Sequence, residues 1–515
     1  MDRKEKLVLL KNAAANVVRG GAAAFVAVFL PPFLTRLMPS DAFGAWSLVL
    51  QLSAFVGYLD FGIQTAVGRF VAHSNEKCDA ELRDRIVSTS FAALTAAGAL
   101  AIGASAGIVA LLPHIFRQMP AVLIGDVRVA FLLVAVSLAV GLPASVFNGI
   151  FVGLQRNEVP AAVVGASRIV GAICLILVVR QGGTLVAMGT TVATVNLATY
   201  GVQYWLYRRL GGSTRLSRKL VSITTGRELS SYCLSLTVWS FATLLVLGLD
   251  VTLVGFFDFR SVAYYAVAAT VITFILGLQN AIFGALLPVA AVLDARGNTS
   301  ELGAILVSTT RYGMFLLLAS GVPLLLAAGP VLSAWVGPEY AIHASVILRV
   351  LVIANIIRLS AVPYANLLVG TGQQRLVTIS PLVEGFSNLV VSVILGALWG
   401  AVGVAVGTVV GSAVGILCNF LYNMPRSSRI AATRFDYLVN GYLRPLVCVS
   451  PFFLVYVLRE GFSVLAAVTE TRFMLLALMV SLVGIWTVGL VADERRRIRA
   501  WIGVSFGSRA GTQSY

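Results

Sequence analysis

Seven charged residues interrupt stretches of this chain that are otherwise apolar. Arg19, Arg168, Arg311 and Arg358 are cations; Asp60, Asp250 and Glu384 are anions. A charge at the centre of a membrane-spanning helix costs about 2.5–3.5 kcal/mol on insertion scales, so it faces a cavity or a partner. A guanidinium left without a carboxylate suits a phosphate, whose oxygens match its planar fork two at a time. The carboxylates suit ion pairing. Metal and redox chemistry find no support. The three histidines (His73, His114, His343) and five cysteines are scattered with no ligand or dithiol spacing, and no cofactor is expected.

Helical spacing gathers polar neighbours around these charges. Asn12, Asn16 and Arg19 share a face, as do Ser308 with Arg311, Asn355 with Arg358, Glu384 with Ser387 and Asn388, and Asp60 with Gln64. Each has a structural alternative. Arg19 could snorkel to headgroups, Asp60 could clamp to Arg19 or Arg69, and Asp250 could be a cap near a span end. Four arginines against three carboxylates leave a small positive excess, which matters only where an arginine is unpaired. The stretch "TTVATVNLATYGVQY" (190–204) adds hydroxyls and amides, which could equally serve close helix packing.

The elements that must position these groups are membrane helices. Of 515 residues, 58% are hydrophobic and 12% charged, with a mean hydropathy of +0.90; an ordinary soluble domain carries about 25% charge. About fourteen apolar runs are long enough to span a bilayer. They start with 13–37 and 44–68 and end with 377–398, 400–424, 443–459 and 473–492. The first is expected to be a retained anchor rather than a cleaved signal. The net charge of +16 gathers near Arg3–Lys11, at Arg208, Arg209, Arg215, Arg218 and Lys219, and at Arg495–Arg499. That is the positive-inside pattern: it places both termini in the cytoplasm, favours anionic lipid and argues against nucleic acid.

The sequence also repeats at about 219 residues. "VFNGIFVGLQR", ending at Arg156, matches "YANLLVGTGQQR", ending at Arg375, and "GASRIVGAICLIL" from Gly165 matches "GFSNLVVSVILGA" from Gly385. Pro143 and Pro363 fall at equivalent places and are candidate hinges. The expected organisation is a six-helix lobe (1–207), a basic cytoplasmic linker (208–228), a second lobe (229–424), two additional helices (425–492) and a basic tail (493–515). Six spans per copy give the lobes the same orientation, an arrangement typical of transporters that bind near the midplane and rock. None of the seven charges has a like-signed counterpart in the other copy.

The opening "NVVRGGAAAFVAVFLPPFLTRLMPSDAFGAWSLVLQLSAFVGYLDFGIQTAVGRFVA" resembles bacterial polysaccharide flippases. These are the O-antigen and exopolysaccharide repeat-unit translocases of the multidrug/oligosaccharidyl-lipid/polysaccharide exporter superfamily. The resemblance rests on Arg19 in helix 1, Pro32 to Arg36, the Phe-Gly opening helix 2, the Asp-Phe-Gly at residue 60 with a basic residue following, and the "GLQR" after helix 4. It implies an all-α polytopic exporter in the bacterial inner membrane, with two lobes forming a V around a cationic cavity. It also implies alternating-access transfer of a polyprenyl-diphosphate-linked oligosaccharide to the periplasmic leaflet. Arg19, Arg168, Arg311 and Arg358 would face the diphosphate or sugar acids. Asp60 and Glu384 would be ion-pairing or coupling groups for H+ or Na+; Asp60 matches the family's Asp-Phe-Gly, whereas Asp250, Arg311, Arg358 and Glu384 rest on the cavity reading alone. Polysaccharide polymerase and export machinery would be further partners. One departure is that Gln279 takes the place of Asp60 in the second copy. A drug/cation antiporter would want a net acidic lumen, a polymerase or glycosyltransferase would want a catalytic loop domain, and a scaffold would leave buried arginines unexplained.

Overall fold

The computed structural model describes residues 3–210, 214–461, 478–492 and 494–496. Side chains of 1–19, 231, 235 and 453–461 lie outside the described residues. Every regular element among the described residues is helical. Among the described residues ten helices are long and apolar enough to cross a membrane, or eleven when the bent pair Ile223–Leu234 and Leu236–Gly248 is taken as one span. The expectation of about fourteen is therefore not reproduced as a count. The run 473–492 falls partly outside the described residues.

In chain order the helices are α1 (Arg3–Leu37), α2 (Ser40–Tyr58), α3 (Ile63–Glu76), α4 (Ala80–Ile115), α5 (Ala121–Gly153), α6 (Glu158–Arg180) and α7 (Leu185–Leu210). Then come α8 (Ile223–Thr243), α9 (Asp250–Phe257), α10 (Val262–Phe283), α11 (Leu286–Ala295), α12 (Thr299–Val336), α13 (Pro338–Leu359), α14 (Val362–Gly370), α15 (Gln374–Cys418) and α16 (Arg444–Gly461). They form two compact units. One comprises 1–282, 327–358 and 374–419; the other comprises 283–326, 359–373 and 420–515.

In the first unit α5 is the most embedded helix, packed by α2, α3, α4 and α7. Pro143 has no N–H to give the carbonyl of Ala139, four residues earlier. The helix nonetheless runs through unbroken, and α4 comes close at this point. A β-carbon on Gly98 would lie 2.7 Å from that carbonyl oxygen, so only glycine lets the neighbouring backbone approach the orphaned acceptor. Of the two expected hinges, Pro363 alone adjoins a helix break, at Ser360–Ala361.

The repeat is visible in the turns. After α5, the N–H groups of Gln155 and Arg156 donate to Val152 and Phe151. After α14, those of Gly372 and Gln373 donate to Val369 and Leu368. Both turns need a left-handed residue, Gln155 at φ 57° and Gly372 at φ 73°, as a helix-terminating turn of this type requires. A second shared feature is a helix break beside a Phe-Gly pair. The α2–α3 break spans Leu59–Gly62 and the α10–α11 break Gly284–Ala285, with Phe-Gly at 61–62 and at 283–284.

The stretch Gln374–Arg426 is a single apolar helical run of 53 residues, yet it doubles back. Gly400 adopts φ 58° and ψ −136°, a conformation L side chains avoid. The two arms are pinned together by Ser392 Oγ donating to the Val404 carbonyl at 3.1 Å and Ser380 Oγ to that of Gly415 at 2.9 Å. Glycines at 403, 407, 411 and 415 recur every four residues, so one small-residue face meets the opposite arm. The expected separation of 377–398 from 400–424 corresponds to this reversal.

Candidate functional site

Three polar clusters lie within the helices, and they hold six of the seven expected charges; the side chain of the seventh, Arg19, lies outside the described residues. The first forms where the chain leaves α2. Phe61 (φ 50°) and Gly62 (φ 76°) are both left-handed, so the Asp60 carboxylate swings to the start of α3. There it accepts the backbone N–H of Gln64 at 3.4 Å and the Ser145 hydroxyl at 3.2 Å. A carboxylate at a helix N-terminus is favoured by the unpaired N–H groups and the helix dipole. The expected clamp to Arg69 does not form. That guanidinium lies 4.6 Å from the centroid of the Tyr232 ring and 6.0 Å from that of Phe70, a cation–π arrangement.

Asp60 and Arg168 line one cavity of about 460 Å³, together with Gln64, Ser145, Asn148 and Gln203. The volume is in the range of small-ligand pockets. Buried carbonyl oxygens of Asn148 and Gln203 have no donor among the described residues, so the wall offers acceptors as well as a cation. From the stretch 190–204, Asn196, Thr199 and Tyr200 reach this cavity. Thr190, Thr191, Thr194 and Thr199 return their hydroxyls to carbonyls four residues back in α7.

The second cluster is held by the doubled-back α15. Arg358 donates from Nε to Glu384 Oε1 at 2.8 Å and from Nη1 to Asn355 Oδ1 at 3.4 Å. Ser412 donates to the same Glu384 oxygen at 3.4 Å. Asp250 opens α9, but its oxygens are engaged beyond its own helix. Asn388 Nδ2 lies 3.4 Å from Oδ1, while the hydroxyls of Tyr265 and Thr408 lie 3.1 and 3.3 Å from Oδ2. Ser392 donates to Asn388 Oδ1 at 3.0 Å. No cation is within ion-pair distance of Asp250 among the described residues. Oxygen donors of this kind (carboxylate, amide carbonyl, hydroxyl) suit a hard cation or a proton.

The third cluster belongs to the second unit. Arg311, 3% exposed, forms an ion pair with Glu494. The Tyr312 hydroxyl donates to Glu494 Oε1 at 2.6 Å, and the Val491 N–H donates to Oε2 at 2.8 Å. Glu494 is the residue that sequence reasoning misses, because it sits among the basic residues of the expected tail. A buried Arg311 with no acid in its own helical neighbourhood is the signal that a distant one must supply the charge.

The four arginines expected to face an anionic substrate thus lie in different settings. Arg311 and Arg358 each hold a carboxylate, because a low-dielectric setting strongly penalises an uncompensated charge. Arg168 lines the first cavity, and the Arg19 side chain lies outside the described residues, though its backbone is part of α1. Ser145 and Thr408 join the clusters through contacts between helices distant in sequence, and Tyr265 from the next helix, α10, none of which helical spacing reveals.

A family model described as "Polysaccharide biosynthesis protein" matches residues 9–293. A relative, the "Uncharacterized membrane protein EpsK" of Bacillus subtilis (strain 168), is 21% identical over 450 residues, covering 84% of this chain and 86% of that protein. Among solved structures, a lipid II flippase MurJ in an inward closed conformation is similar with a TM-score of 0.72 at 15% identity. That match covers 92% of this chain and 97% of the flippase. An inward-facing conformation of a multidrug resistance MATE family transporter of the MOP superfamily is similar with a TM-score of 0.59 at 18% identity, covering 78% of this chain and 98% of the transporter. At these identities the two structures speak for the fold, an all-helical multi-pass membrane architecture. Both are named as transport proteins and neither as an enzyme.

Proposed function

The chain belongs to the polysaccharide biosynthesis protein family, and from that premise we propose that it is a flippase for a lipid-linked oligosaccharide. Its substrate is a polyprenyl-diphosphate-linked repeat unit of O-antigen or exopolysaccharide, carried from the cytoplasmic to the periplasmic leaflet of the inner membrane by alternating access. Both termini lie in the cytoplasm, as the positive clusters favour. The two six-helix copies, 1–207 and 229–424, are the moving parts, joined by the basic linker 208–228.

The observation that carries this reading is the cavity shared by Arg168 and Asp60. It couples a cation with hydrogen-bonding amides and hydroxyls inside a helical unit, the combination a phosphorylated glycan needs. Arg19, in α1, is assigned to the same anionic headgroup. Arg311 and Arg358 are assigned to holding the protein's own carboxylates, from which substrate phosphate would have to compete them away. Asp60 and Asp250, neither within ion-pair distance of a cation among the described residues, are the coupling candidates for H+ or Na+; Glu384 is the clamp of Arg358.

The test is a gene deletion followed by rescue. Loss of the protein is expected to leave lipid-linked repeat units on the cytoplasmic face, and Arg168→Ala is expected to rescue poorly. Repeat units delivered to the periplasm but left unlinked would instead indicate a polymerase. Full rescue by Arg168→Ala would remove the cavity from the mechanism.

A further inference from the structure

A second cavity, of about 770 Å³, lies in the first unit beside the one that holds Asp60. Tyr200 lines both. Its walls come from α4, α5, α7 and the start of the basic linker. Phe91, Phe147, Tyr204 and Tyr207 supply an aromatic surface, and Arg208 and Arg215 supply two guanidiniums. The aromatic rings brace one another: the Phe147 centroid is 4.8 Å from that of Tyr207 and 5.6 Å from that of Tyr204. Tyr204 is nevertheless 49% exposed, so a ring face is available.

The linker is fastened where it contributes. The Tyr207 hydroxyl donates to the Thr214 carbonyl at 2.9 Å, the Ser217 N–H to Ser88 Oγ at 3.1 Å, and the Ser222 N–H to Thr89 Oγ1 at 3.1 Å. Arg215 is thereby held at the cavity edge instead of trailing in solvent. The basic cluster that sequence assigns wholly to orientation and lipid thus splits in two. Arg209 lies 4.4 Å from the centroid of the Trp205 ring, outside the cavity, as a headgroup anchor would. Arg208 and Arg215 line the cavity, and neither has an ion-pair partner among the described residues.

We propose that this cavity binds a phosphate-bearing sugar at the cytoplasmic end of the first six-helix copy. The two guanidiniums take the phosphate oxygens, and the tyrosine faces stack on the apolar face of a sugar ring. Aromatic rings without cations would suit a neutral glycan, and cations without aromatic rings a bare phosphate; the pairing selects the conjugate. The proposal rests on the flippase reading for its biological use, since a headgroup held here would be one tyrosine away from Arg168. As a binding site it stands on the cavity itself.

The experiment uses the full chain in nanodiscs and two radiolabelled probes: glucose 1-phosphate in solution, and undecaprenyl-diphosphate N-acetylglucosamine in the bilayer. Saturable binding of either probe is expected, and the probe that binds identifies the source as a free sugar phosphate or a lipid headgroup. The double variant Arg208→Ala/Arg215→Ala is expected to weaken binding at least about tenfold, the loss of one or more charge-assisted hydrogen bonds. Arg209→Ala is expected to bind as the parent does. Tyr204→Ala is expected to weaken the sugar phosphate while leaving competition by inorganic phosphate unchanged. Unchanged binding in a double variant that keeps the parental melting temperature would overturn the site. Accumulation of repeat units in the deletion strain depends on the flippase reading instead, so the two ideas fail separately.

Discussion

Arg358 and Glu384 meet at 2.8 Å with each side chain only 11% exposed, joining α13 to the first arm of α15. Breaking a buried pair by removing one partner is expected to cost about 3–5 kcal/mol, because the surviving charge stays buried. Arg358→Ala and Glu384→Ala should each lower the melting temperature of the purified protein sharply. The double variant Arg358→Met/Glu384→Met should recover much of the loss. If Arg358→Ala instead keeps the parental melting temperature and loses only transport, Arg358 is a substrate contact and the clamp assignment fails.

Glu494 should behave as a partner of Arg311 although the two are 183 positions apart in the chain. Glu494→Gln keeps the shape and removes the charge, leaving a guanidinium 3% exposed without its counter-ion. It is expected to destabilise nearly as much as Arg311→Ala, with strongly non-additive effects in the double variant. Tyr312→Phe deletes one hydrogen bond to the same carboxylate and should cost about 1.5–3 kcal/mol. Thermal unfolding of the four variants measures the coupling; simple additivity would mean that the pair contributes nothing.

The outline of this molecule is legible along the chain, and its pairing is not. Apolar length marks the helices because a bilayer demands it locally, and the turns after Gly153 and Gly370 are legible because a helix end needs a left-handed residue within a few positions. The reversal at Gly400 is legible for the same reason. Which acid answers which base depends on contacts across many residues. Asp60 reads as a clamp for Arg69 by proximity along the chain, yet Phe61 and Gly62 turn it toward Ser145. Asp250 reads as a span end, yet it meets Thr408 because α15 folds back beside α9. Glu494 has no local signature at all.

Asp60 separates stability from charge. Its oxygen accepts the Gln64 N–H at the start of α3, a task asparagine performs about as well. Asp60→Asn is therefore expected to change stability by less than about 1 kcal/mol, whereas Asp60→Leu loses the cap and should cost more, about 1–2 kcal/mol. If Asp60 carries the coupling charge, Asp60→Asn will transport at a rate indifferent to the pH or sodium gradient that drives the parent. A variant that keeps the parental gradient dependence would reduce Asp60 to a cap.

Asp250 calls for the parallel measurement, with a different control. Asp250→Asn removes the charge while an amide oxygen still accepts from Tyr265 and Thr408, so the fold should hold. Gradient-driven transport should fall, and downhill exchange of substrate should persist. Thr408→Val removes one hydroxyl from the same carboxylate, and on the cation reading it should raise the sodium concentration needed for half-maximal transport. If neither variant shifts the ion dependence, the oxygen cluster is structural.

The glycine face of α15 provides the sharpest test of how this second cluster is built. A β-carbon on Gly407 would lie 2.1 Å from Ser392 Oγ and 2.6 Å from its backbone nitrogen, and one on Gly411 would lie 2.7 Å from the β-carbon of Asn388. No rotamer change relieves a clash with backbone, so the arms must separate. Overpacking of this sort typically costs about 1–3 kcal/mol. Here it would also pull Asn388 away from Asp250. Gly407→Val and Gly411→Val are therefore expected to lower the melting temperature and transport together. Gly277→Ala, where a β-carbon meets nothing within 4 Å, should be neutral or stabilise α10 by up to about 1 kcal/mol. If Gly411→Val leaves both properties at the parental level, the two arms do not depend on glycine contact, and the geometry holding Asp250 in place needs another cause.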